Sequence, residues 1–418
     1  MSRIMVRIGA ASWFSSKRLR AHALILALCL WSVYLWNISA PGLKDRNGIF
    51  KGADFLQFYT LGSVARAHRT AELYDTQVQS QISAQRMPEA AGIRFLLLYP
   101  PQVSILFAPF ARLPYTSALA LWLILASAIY ALCCYALWRT SVGLRAHTVT
   151  VFMIAAAFPG FWHLILWGQT SALALGFFTL AFLALRARKE FLAGLAVGCL
   201  VYKPQLALAA AFVFIFTLRW RVIAGAVLAA SAQLAVGWAY YGSDSIYHWL
   251  KAIIDVPHQL PMLEPKPFQM HSLRSLWILL VPGPILPFAL YILTSLIILG
   301  LTLSIWNRRP AYPLGVRFSA LLLASVLCAP HLFVYDLVIL APMFLLLSNC
   351  ILTQERCSSA PQIKPLLYLI FVAPLIGPLA RWTHLQVSVV LMSLLVYVIW
   401  QTRGTGLRTA DSAEDNRT

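Results

Sequence analysis

The stretch WGQTSALALGFFTLAFLALRARKEFLAGLAVGCLVYKPQLAL, residues 167–208, carries the pattern that decides the fold. One apolar run ends in a basic cluster at 186–189, and a second run is broken at Lys203-Pro204. Proline ends or breaks a helix, so each half of the second run is too short to cross a bilayer of about 30 Å. The first run therefore predicts a membrane helix, and the second predicts a hairpin that dips into the membrane.

The composition of the whole chain extends this interpretation. Of 418 residues, 60% are hydrophobic and only 11% are charged, whereas about a quarter of the residues of a soluble domain are charged. A soluble globular enzyme is therefore excluded. The sequence predicts an all-α polytopic membrane protein with about 10–12 transmembrane or re-entrant helices.

Residues 1–402 are predicted to form a single integral-membrane domain. Its first helix, at about 24–40, contains three bulky aromatic residues and lacks a small-residue cleavage site, which favours a retained helix over a cleaved signal peptide. A long first outer loop (42–95) follows, then a proline-interrupted, re-entrant segment (96–114). Further helices are predicted at about 116–138, 148–165, 170–186, 222–240, 284–305, 316–330, 332–350, 365–380 and 384–401. A second outer loop covers 241–275, and 403–418 is predicted to be a disordered cytoplasmic tail.

The distribution of charge predicts the orientation. Lys and Arg total 33 against 14 Asp and Glu, a formal net charge of +19. In the predicted topology, the short connections on the side of the N-terminus are all basic, which is typical of cytoplasmic connections. We therefore expect a multi-pass protein of the cytoplasmic (inner) membrane with its N-terminus in the cytoplasm. The excess charge is then explained by topology, and nucleic acid is not an expected partner.

Asp54 is the first candidate for chemistry, because it lies in KGADFLQFYTLGSVARAHRTAELYD (51–75), soon after the first span. Position alone is equally compatible with a solvated loop acid. The flanking aromatic residues instead predict a short amphipathic helix on the outer leaflet, with Asp54 at its start. A carboxylate there could cap the helix or act as a general base that activates a hydroxyl.

Lys203 is the second candidate. A lysine at a broken helix inside the membrane is suited to hold an anionic head group such as a phosphate, although snorkelling to the interface is the alternative. A third group is CAPHLFVYDL (328–337), where the spacing of His331 and Asp336 permits mutual orientation; His331 could equally cap a helix. Weaker polar signals gather on the same predicted face: Tyr99, Gln169, Ser171, His271, Ser272 and Arg274.

Two kinds of site have no sequence signal. The chain has neither a glycine-rich nucleotide loop nor a DxD acid pair. Its seven cysteines show no metal-ligand spacing. We therefore expect no cofactor, no metal and no nucleotide-sugar donor.

The order of these motifs resembles glycosyltransferase family 87, the polyprenol-phosphate-mannose-dependent mannosyltransferases of the type C superfamily. The matching strings, in the family's order, are ADFLQFYTLGSVARAHRTAELYD, LYPPQVSILFAPFARLPYTSALALW, the stretch 167–208, MHSLRSL and CAPHLFVYDLVIL. The chain departs from the family at MHSL, where NQSL is commoner, and at Cys328-Ala329-Pro330, where the family has an SP-type motif.

The resemblance implies a type C glycosyltransferase fold with short interfacial helices in the first outer loop. It also implies an inverting transfer of a sugar, with mannose as the family default, from a polyprenyl-phosphate donor on the outer (periplasmic) face. Asp54 then corresponds to the catalytic aspartate and Lys203 to the lysine of the KPQ motif, and His331 matches the region after the SP-type motif. The expected partners are the lipid-linked donor, a glycolipid or glycan acceptor, and membrane lipids.

The implied roles can be written for each candidate. Asp54 accepts the proton, while Lys203, Arg94, Arg274 or His331 neutralises charge on the leaving phosphate. The apolar helices and the segment around Tyr99 hold the isoprenoid, and Gln169 belongs to the same donor site. The acceptor site has no assignment.

Two alternatives stay open at this point. The protein could transfer a different sugar, such as arabinose. It could instead be a transporter or flippase of a lipid-linked saccharide, with Lys203 and Asp336 along the substrate path. That alternative predicts inverted repeats, and none is visible in the sequence.

Overall fold

A computed structural model describes residues 15–67, 72–264, 266–307, 312–353 and 360–402. Within these ranges all regular structure is helical, apart from two isolated bridges, Lys44–Phe50 and Met270–Phe333. The predicted tail at 403–418 and the basic residues at 3, 7, 308, 309 and 356 lie outside the described residues. The structure therefore bears on the helices and the site, and not on the tail.

The first half of the chain begins with a long helix and continues through short helices of the first outer loop. The helices are α1 (Ser16–Ile38), α2 (Ala53–Arg66), α3 (Thr76–Arg86), α4 (Gln102–Phe107), α5 (Tyr115–Thr140), α6 (Val142–Arg145), α7 (Thr148–Ala156), α8 (Pro159–Trp167), α9 (Ser171–Arg186), α10 (Glu190–Gly198) and α11 (Pro204–Phe216).

The second half contains α12 (Trp220–Tyr241), α13 (Ser243–Ile254), α14 (Val256–Leu263), α15 (Leu273–Leu280), α16 (Ile285–Asn307), α17 (Leu314–Leu327), α18 (Ala341–Thr353), α19 (Ala360–Ile376), α20 (Ala380–Thr383) and α21 (Val387–Gln401). Short 3-10 turns lie at Pro88–Ala90, Phe110–Arg112, Cys199–Tyr202, Pro267–Gln269, Val334–Leu340 and Gly377–Leu379.

Six helical segments of the described chain are long and apolar enough to cross a membrane: Ser16–Ile38, Tyr115–Thr140, Trp220–Tyr241, Ile285–Asn307, Val334–Thr353 and Gln362–Thr383. A seventh span is possible if α7 and α8, which meet at a 41° bend, are taken together. Five shorter apolar helices complete the set. The protein is thus an all-α polytopic membrane protein, as the sequence predicts.

Helix α17, one of the shorter apolar helices, lies at the centre of the molecule. Every residue of α17 from Phe318 to Leu327 is buried, and a helix that is apolar on all sides belongs in a core. By contrast, only 17% of the apolar window is buried in α1 and in α12, so these two helices lie at the periphery. The short helix α17 therefore lies in the interior, while the long helices α1 and α12 lie on the outside.

The hairpin predicted around Lys203 is present. Arg219, just after α11, forms an ion pair with Glu190 at the start of α10, so the chain returns to the level at which it entered. Each arm is 13 residues long, or about 20 Å, which is less than the thickness of the hydrocarbon core. Lys203 lies at the tip, between the 3-10 turn Cys199–Tyr202 and α11.

Close backbone contacts hold the hairpin against α12. A side chain at Gly194 would meet the carbonyl oxygen of Val222 at 2.0 Å, and one at Gly198 would meet that of Ala226 at 2.2 Å. Small residues at such interfaces let membrane helices approach closely. The same register shows that α12 runs parallel to α10 and continues past the tip of the hairpin.

Two predicted elements differ from the structure. The amphipathic helix expected on the outer leaflet exists as α2, but all its residues from Phe55 to Ala65 are buried, so it packs inside the protein rather than on lipid. The helix predicted at 148–165 is broken between Ala156 and Pro159. The proline has no backbone N–H to continue the first helix, which accounts for the bend.

Candidate active site

Asp54 lies in the first turn of α2 and faces the turn that follows α8. Two glycines with positive φ, Gly52 (63°) and Gly168 (66°), allow these two turns to touch. A side chain at Gly168 would lie 2.9 Å from Phe55 Cβ and 3.5 Å from Gly52 Cα. Tyr115 fixes the first turn by donating to the carbonyl oxygens of residues 51 and 52.

The Asp54 carboxylate is bound by Gln169, whose Nε2 donates to Oδ2 at 3.0 Å. Burial raises the pKa of Asp54 from 3.8 to about 6. The hydrogen bond from Gln169, the positive charge of Lys203 and a hydrogen bond from Tyr335 oppose this rise, while the negative charge of Asp336 adds to it. The carboxylate is therefore ionised at neutral pH and is a stronger base than an exposed aspartate.

Lys203, at the tip of the hairpin, forms an ion pair with the carboxylate of Asp336. Its Nζ lies 2.8 Å from Asp336 Oδ1 and 3.0 Å from Ser171 Oγ, and the side chains of Lys203 and Asp336 are each only 4% exposed. Nζ also lies 5.4 Å from the ring centroid of Tyr335. The predicted phosphate-binding cation thus has its charge balanced by Asp336, and the ion pair joins the hairpin to the turn at 334–340.

His331 and Asp336 do not orient each other, which corrects the expectation drawn from their spacing. His331 Nδ1 lies 3.0 Å from Glu264 Oε1, whereas Asp336 binds Lys203. His331 precedes the 3-10 helix Val334–Leu340, which contains Asp336, so the two residues do not lie on one continuous helix. Each of the two side chains finds its partner on a different element.

Arg274 is also paired, because it binds the same Glu264 carboxylate and donates to the carbonyl oxygen of Pro330 at 3.1 Å. Glu264 is 7% exposed and belongs to the second outer loop. One buried carboxylate therefore ties Arg274 and His331 together. The backbone bond from His271 N to Leu332 O, 3.1 Å long, fastens the same loop a few residues away.

Most of these side chains, although not Ser171 or Asp336, line one large cavity of about 1320 Å³. All seven residues chosen from the sequence are among its walls: Asp54, Arg94, Tyr99, Gln169, Lys203, Arg274 and His331. The structure thus brings the predicted residues together from segments up to 277 positions apart. Their chemical roles remain predictions.

The cavity has two further cations, Arg94 and Lys266, whose side chains are exposed at its walls. In the described part of the chain, neither lies within ion-pair distance of a carboxylate, unlike Lys203 and Arg274. Burial lowers the pKa of His271 from 6.5 to about 3, so this wall residue is neutral at working pH. Arg94 and Lys266 are therefore the cations available to an anionic ligand.

Sequence reasoning missed three residues of this site: Tyr335, Glu264 and Lys266. Tyr335 directly precedes Asp336 in the string FVYDL. Its position next to this candidate acid is the signal from which it could have been predicted. Glu264 and Lys266 lie in a loop with no recognisable pattern, so only the fold reveals them. Within the described ranges, no three His, Cys, Asp or Glu side chains form a group able to hold a metal ion.

The fold and the site define a class: a polytopic membrane protein with a half-buried, ionised carboxylate in a cavity that also carries cations. The sequence model of glycosyltransferase family 87 matches residues 97–330, which is more than half of the chain. The chain belongs to glycosyltransferase family 87 and is a membrane glycosyltransferase. No curated protein and no solved structure matches it.

Proposed function

We propose that this glycosyltransferase moves a hexose, mannose, from a polyprenyl-phosphate donor to a hydroxyl of a glycolipid or glycan. The reaction inverts the anomeric carbon, takes place on the outer face of the cytoplasmic membrane, and uses Asp54 as general base. The observation that carries the proposal is the position of Asp54, a half-buried carboxylate with raised pKa in a cavity lined by both apolar and cationic groups.

The proton transfer follows from the surroundings of Asp54. Oδ2 is held by Gln169, so the carboxylate is oriented and can accept a proton from an acceptor hydroxyl. The oxygen of the acceptor hydroxyl then attacks the anomeric carbon and forms the new C–O bond. A single displacement of this kind inverts the configuration.

The leaving group is a polyprenyl phosphate, which departs with the electrons of the broken C–O bond. Its negative charge grows in the transition state, and preorganised cations lower the barrier. Arg94 and Lys266 can supply this charge, because no carboxylate in the described ranges of the chain forms an ion pair with either of them. Lys203 acts from the tip of the hairpin as half of an ion pair.

The basic connections support the proposed face of reaction. Helix α9 runs from Ser171, at the cavity, to Arg186, where Arg186 donates to the carbonyl oxygen of Thr140. Sixteen residues span about 24 Å, so the cluster at 186–189 lies at the opposite end of the bundle from Asp54. If the basic end is cytoplasmic, the cavity opens on the outer face.

The test is sugar transfer by the purified protein from radiolabelled decaprenyl-phosphate mannose to a membrane extract that supplies acceptors. We expect Asp54→Asn to lower kcat by about 10²–10⁴-fold, the range for loss of a general base. Asp244→Asn is the matched control, because Asp244 is exposed and lies outside the cavity.

Three results would change the proposal. Undiminished transfer by Asp54→Asn removes Asp54 from catalysis. Use of an arabinose donor in place of mannose changes the sugar and keeps the mechanism. Movement of the lipid-linked sugar across vesicles without transfer favours the flippase alternative.

A further inference from the structure

The structure contains a second cavity, of about 540 Å³, which the proposed reaction does not use. It lies between α1 and α19, and residues of α5, α7 and α18 complete its walls. Most of the wall residues are apolar or aromatic, among them Leu26, Phe344 and Phe371. Two others, Ile25 and Leu352, are 61% and 45% exposed, so the cavity opens on the outer surface of the helix bundle. In a membrane protein this surface faces lipid.

One end of this second cavity is polar. The wall residues at this end include Ser16, His22, His147 and Lys364. Ser16 Oγ, at the start of α1, lies 3.4 Å from Nδ1 of His147, which directly precedes α7. His22 Nδ1 lies 3.3 Å from the hydroxyl of Tyr368, one turn after Lys364 on α19. These contacts bring the beginnings of α1, α7 and α19 together at the polar end.

The polar end carries positive charge without a matching acid. Of the described residues on the walls of the second cavity, none is an aspartate or a glutamate. Lys364 is exposed, and no carboxylate in the part of the chain that the structure describes forms an ion pair with it. Arg20, whose Nε donates to the carbonyl oxygen of Ser16 at 3.3 Å, adds a second positive charge at the same end. An anionic group is therefore the electrostatic complement of this end.

The second cavity has the depth of one membrane leaflet. Its wall on α1 extends from Ser16 to Cys29, which is about 20 Å at 1.5 Å per residue. One leaflet contributes about 15 Å of hydrocarbon and a head-group layer of roughly 5–7 Å. Lys51, three residues before Asp54, donates to the carbonyl oxygen of Ala40, just after α1. The polar end therefore lies at the opposite end of α1 from Asp54, at the level of the head groups of the other leaflet.

We propose that the second cavity binds one anionic phospholipid of the leaflet opposite to Asp54. Its phosphate lies at Lys364, and one acyl chain lies along the apolar walls between α1 and α19. Charge complementarity selects this occupant, because a cationic end without an acid favours a head group of net negative charge over a zwitterionic one. The bound lipid fills the space between α19 and the peripheral helix α1. This site does not depend on the donor or on the role of Asp54.

Native mass spectrometry of the full-length protein in detergent tests the head-group end. The probes are phosphatidylglycerol and phosphatidylcholine with the same palmitoyl and oleoyl chains, added in equal amounts. Lys364→Gln removes the positive charge, and Lys364→Arg keeps it. Lys189→Gln is the matched control, because Lys189 is an exposed lysine of a basic connection and lines neither cavity.

We expect the wild type to bind one phosphatidylglycerol in preference to phosphatidylcholine. Lys364→Gln should lower this preference about fivefold, the usual effect of one lysine at an anionic lipid surface. Lys364→Arg and Lys189→Gln should keep the preference of the wild type. Equal binding of the two lipids by the wild type would overturn the proposal. An equal loss in Lys189→Gln would also overturn it, because general surface charge would then explain the preference.

A second pair of variants tests the apolar part of the site. Val372→Trp places a bulky ring in the second cavity, whereas Leu369→Trp places one on the same helix at an exposed position that lines neither cavity. We expect Val372→Trp to lower the affinity for phosphatidylglycerol at least about tenfold, which corresponds to the loss of about two buried methylene groups. Leu369→Trp should leave it unchanged. Undiminished phosphatidylglycerol binding by Val372→Trp would overturn the proposal, and loss of a co-purified polyprenyl phosphate instead would assign the cavity to that lipid.

Discussion

Gln169 illustrates how a single side chain is oriented at this site. Its Oε1 accepts from Thr170 N at 2.7 Å, from Thr170 Oγ1 at 3.0 Å and from the Tyr99 hydroxyl at 3.4 Å. An amide oxygen accepts and an amide nitrogen donates. With three donors around Oε1, the amide nitrogen must face Asp54, and the carboxylate receives a fixed hydrogen bond.

The pH dependence of transfer follows from the raised pKa of Asp54. A general base must be deprotonated, and half of the Asp54 carboxyls are protonated near pH 6 in the folded protein. We expect kcat/KM to be constant above this pH and to fall about tenfold per pH unit below it. A pH–rate profile in detergent measures the midpoint, and a midpoint near 4 would contradict the burial argument.

The sign of the effect on stability is the opposite of the usual one for an acid. Because the folded pKa lies above the ordinary value of 3.8, the folded state binds the proton more tightly than the unfolded state. The stability contributed by protonated Asp54 is present below pH 3.8 and is lost as pH rises to about 6. The ionised form of Asp54, which a general base requires, is therefore the form in which the folded protein is less stable.

Gln169→Leu should move the pH profile. The substitution removes the hydrogen bond that favours the charged carboxylate, so the pKa of Asp54 should rise and the midpoint should shift to higher pH. Transfer measured well above the new midpoint should recover part of the lost rate. A lower rate with an unmoved midpoint would show that Gln169 acts on the substrate and not on Asp54.

Among the elements, the hairpin and the turn at 334–340 depend on each other through Lys203 and Asp336. Both side chains are almost fully buried, and 133 positions separate them in the chain. Removing one partner of a buried ion pair leaves an uncompensated charge and costs about 3–5 kcal/mol, whereas replacing both with apolar groups is often neutral. The ion pair therefore joins the hairpin to the turn at 334–340 close to Asp54.

Thermal unfolding in detergent tests this joint. We expect Lys203→Met and Asp336→Leu each to lower Tm strongly, and the double variant to recover most of the loss. Arg219→Met, at the half-exposed ion pair with Glu190, is the control and should lower Tm less than either change at the buried pair. Additive losses in the double variant would show that the two side chains are not coupled.

The elements also show what the sequence could predict. The full spans and the break at Lys203 were predicted because apolar length and proline are local signals. The burial of α2 was not, because its apolar and aromatic residues fit a lipid surface as well as a protein interior. The partners of Lys203, Arg274 and His331 were missed for the same reason, since long-range pairing leaves no mark in the local sequence.

For the candidate site, the sequence predicted which residues line the cavity, but not which side chains contact each other. Asp54, Gln169 and the other chosen residues all reached one cavity, because each was a polar group retained beside apolar segments. Lys266 and Glu264 were not found, because a charged residue in a polar loop is unremarkable until the loop is folded against the cavity.

For the whole molecule, the positions of the basic residues predict orientation. Arg186 contacts Thr140, the last residue of α5, whereas Arg86 of α3 donates to the carbonyl oxygen of Ala111, close to the opposite end of α5. We expect a cysteine introduced by Gln85→Cys in α3 to react with a membrane-impermeant maleimide on intact cells. Arg188→Cys should react only after the cells are permeabilised.

Both variants change exposed residues, so folding should be unaffected. The parent for this experiment retains its own cysteines and serves as the background. Labelling in the reverse order would place the cavity on the cytoplasmic face and would contradict the proposed site of reaction.

The volume of the cavity around Asp54 affects how much donor is lost to hydrolysis. A space of about 1320 Å³ holds on the order of forty water molecules when no lipid occupies it. Water is also a nucleophile, and a base that activates a sugar hydroxyl can activate water beside it. Avoiding wasteful hydrolysis of the donor therefore depends on how completely the two substrates together empty the cavity of solvent. An acceptor that fills the cavity poorly would increase the release of free sugar by hydrolysis rather than only slow the transfer.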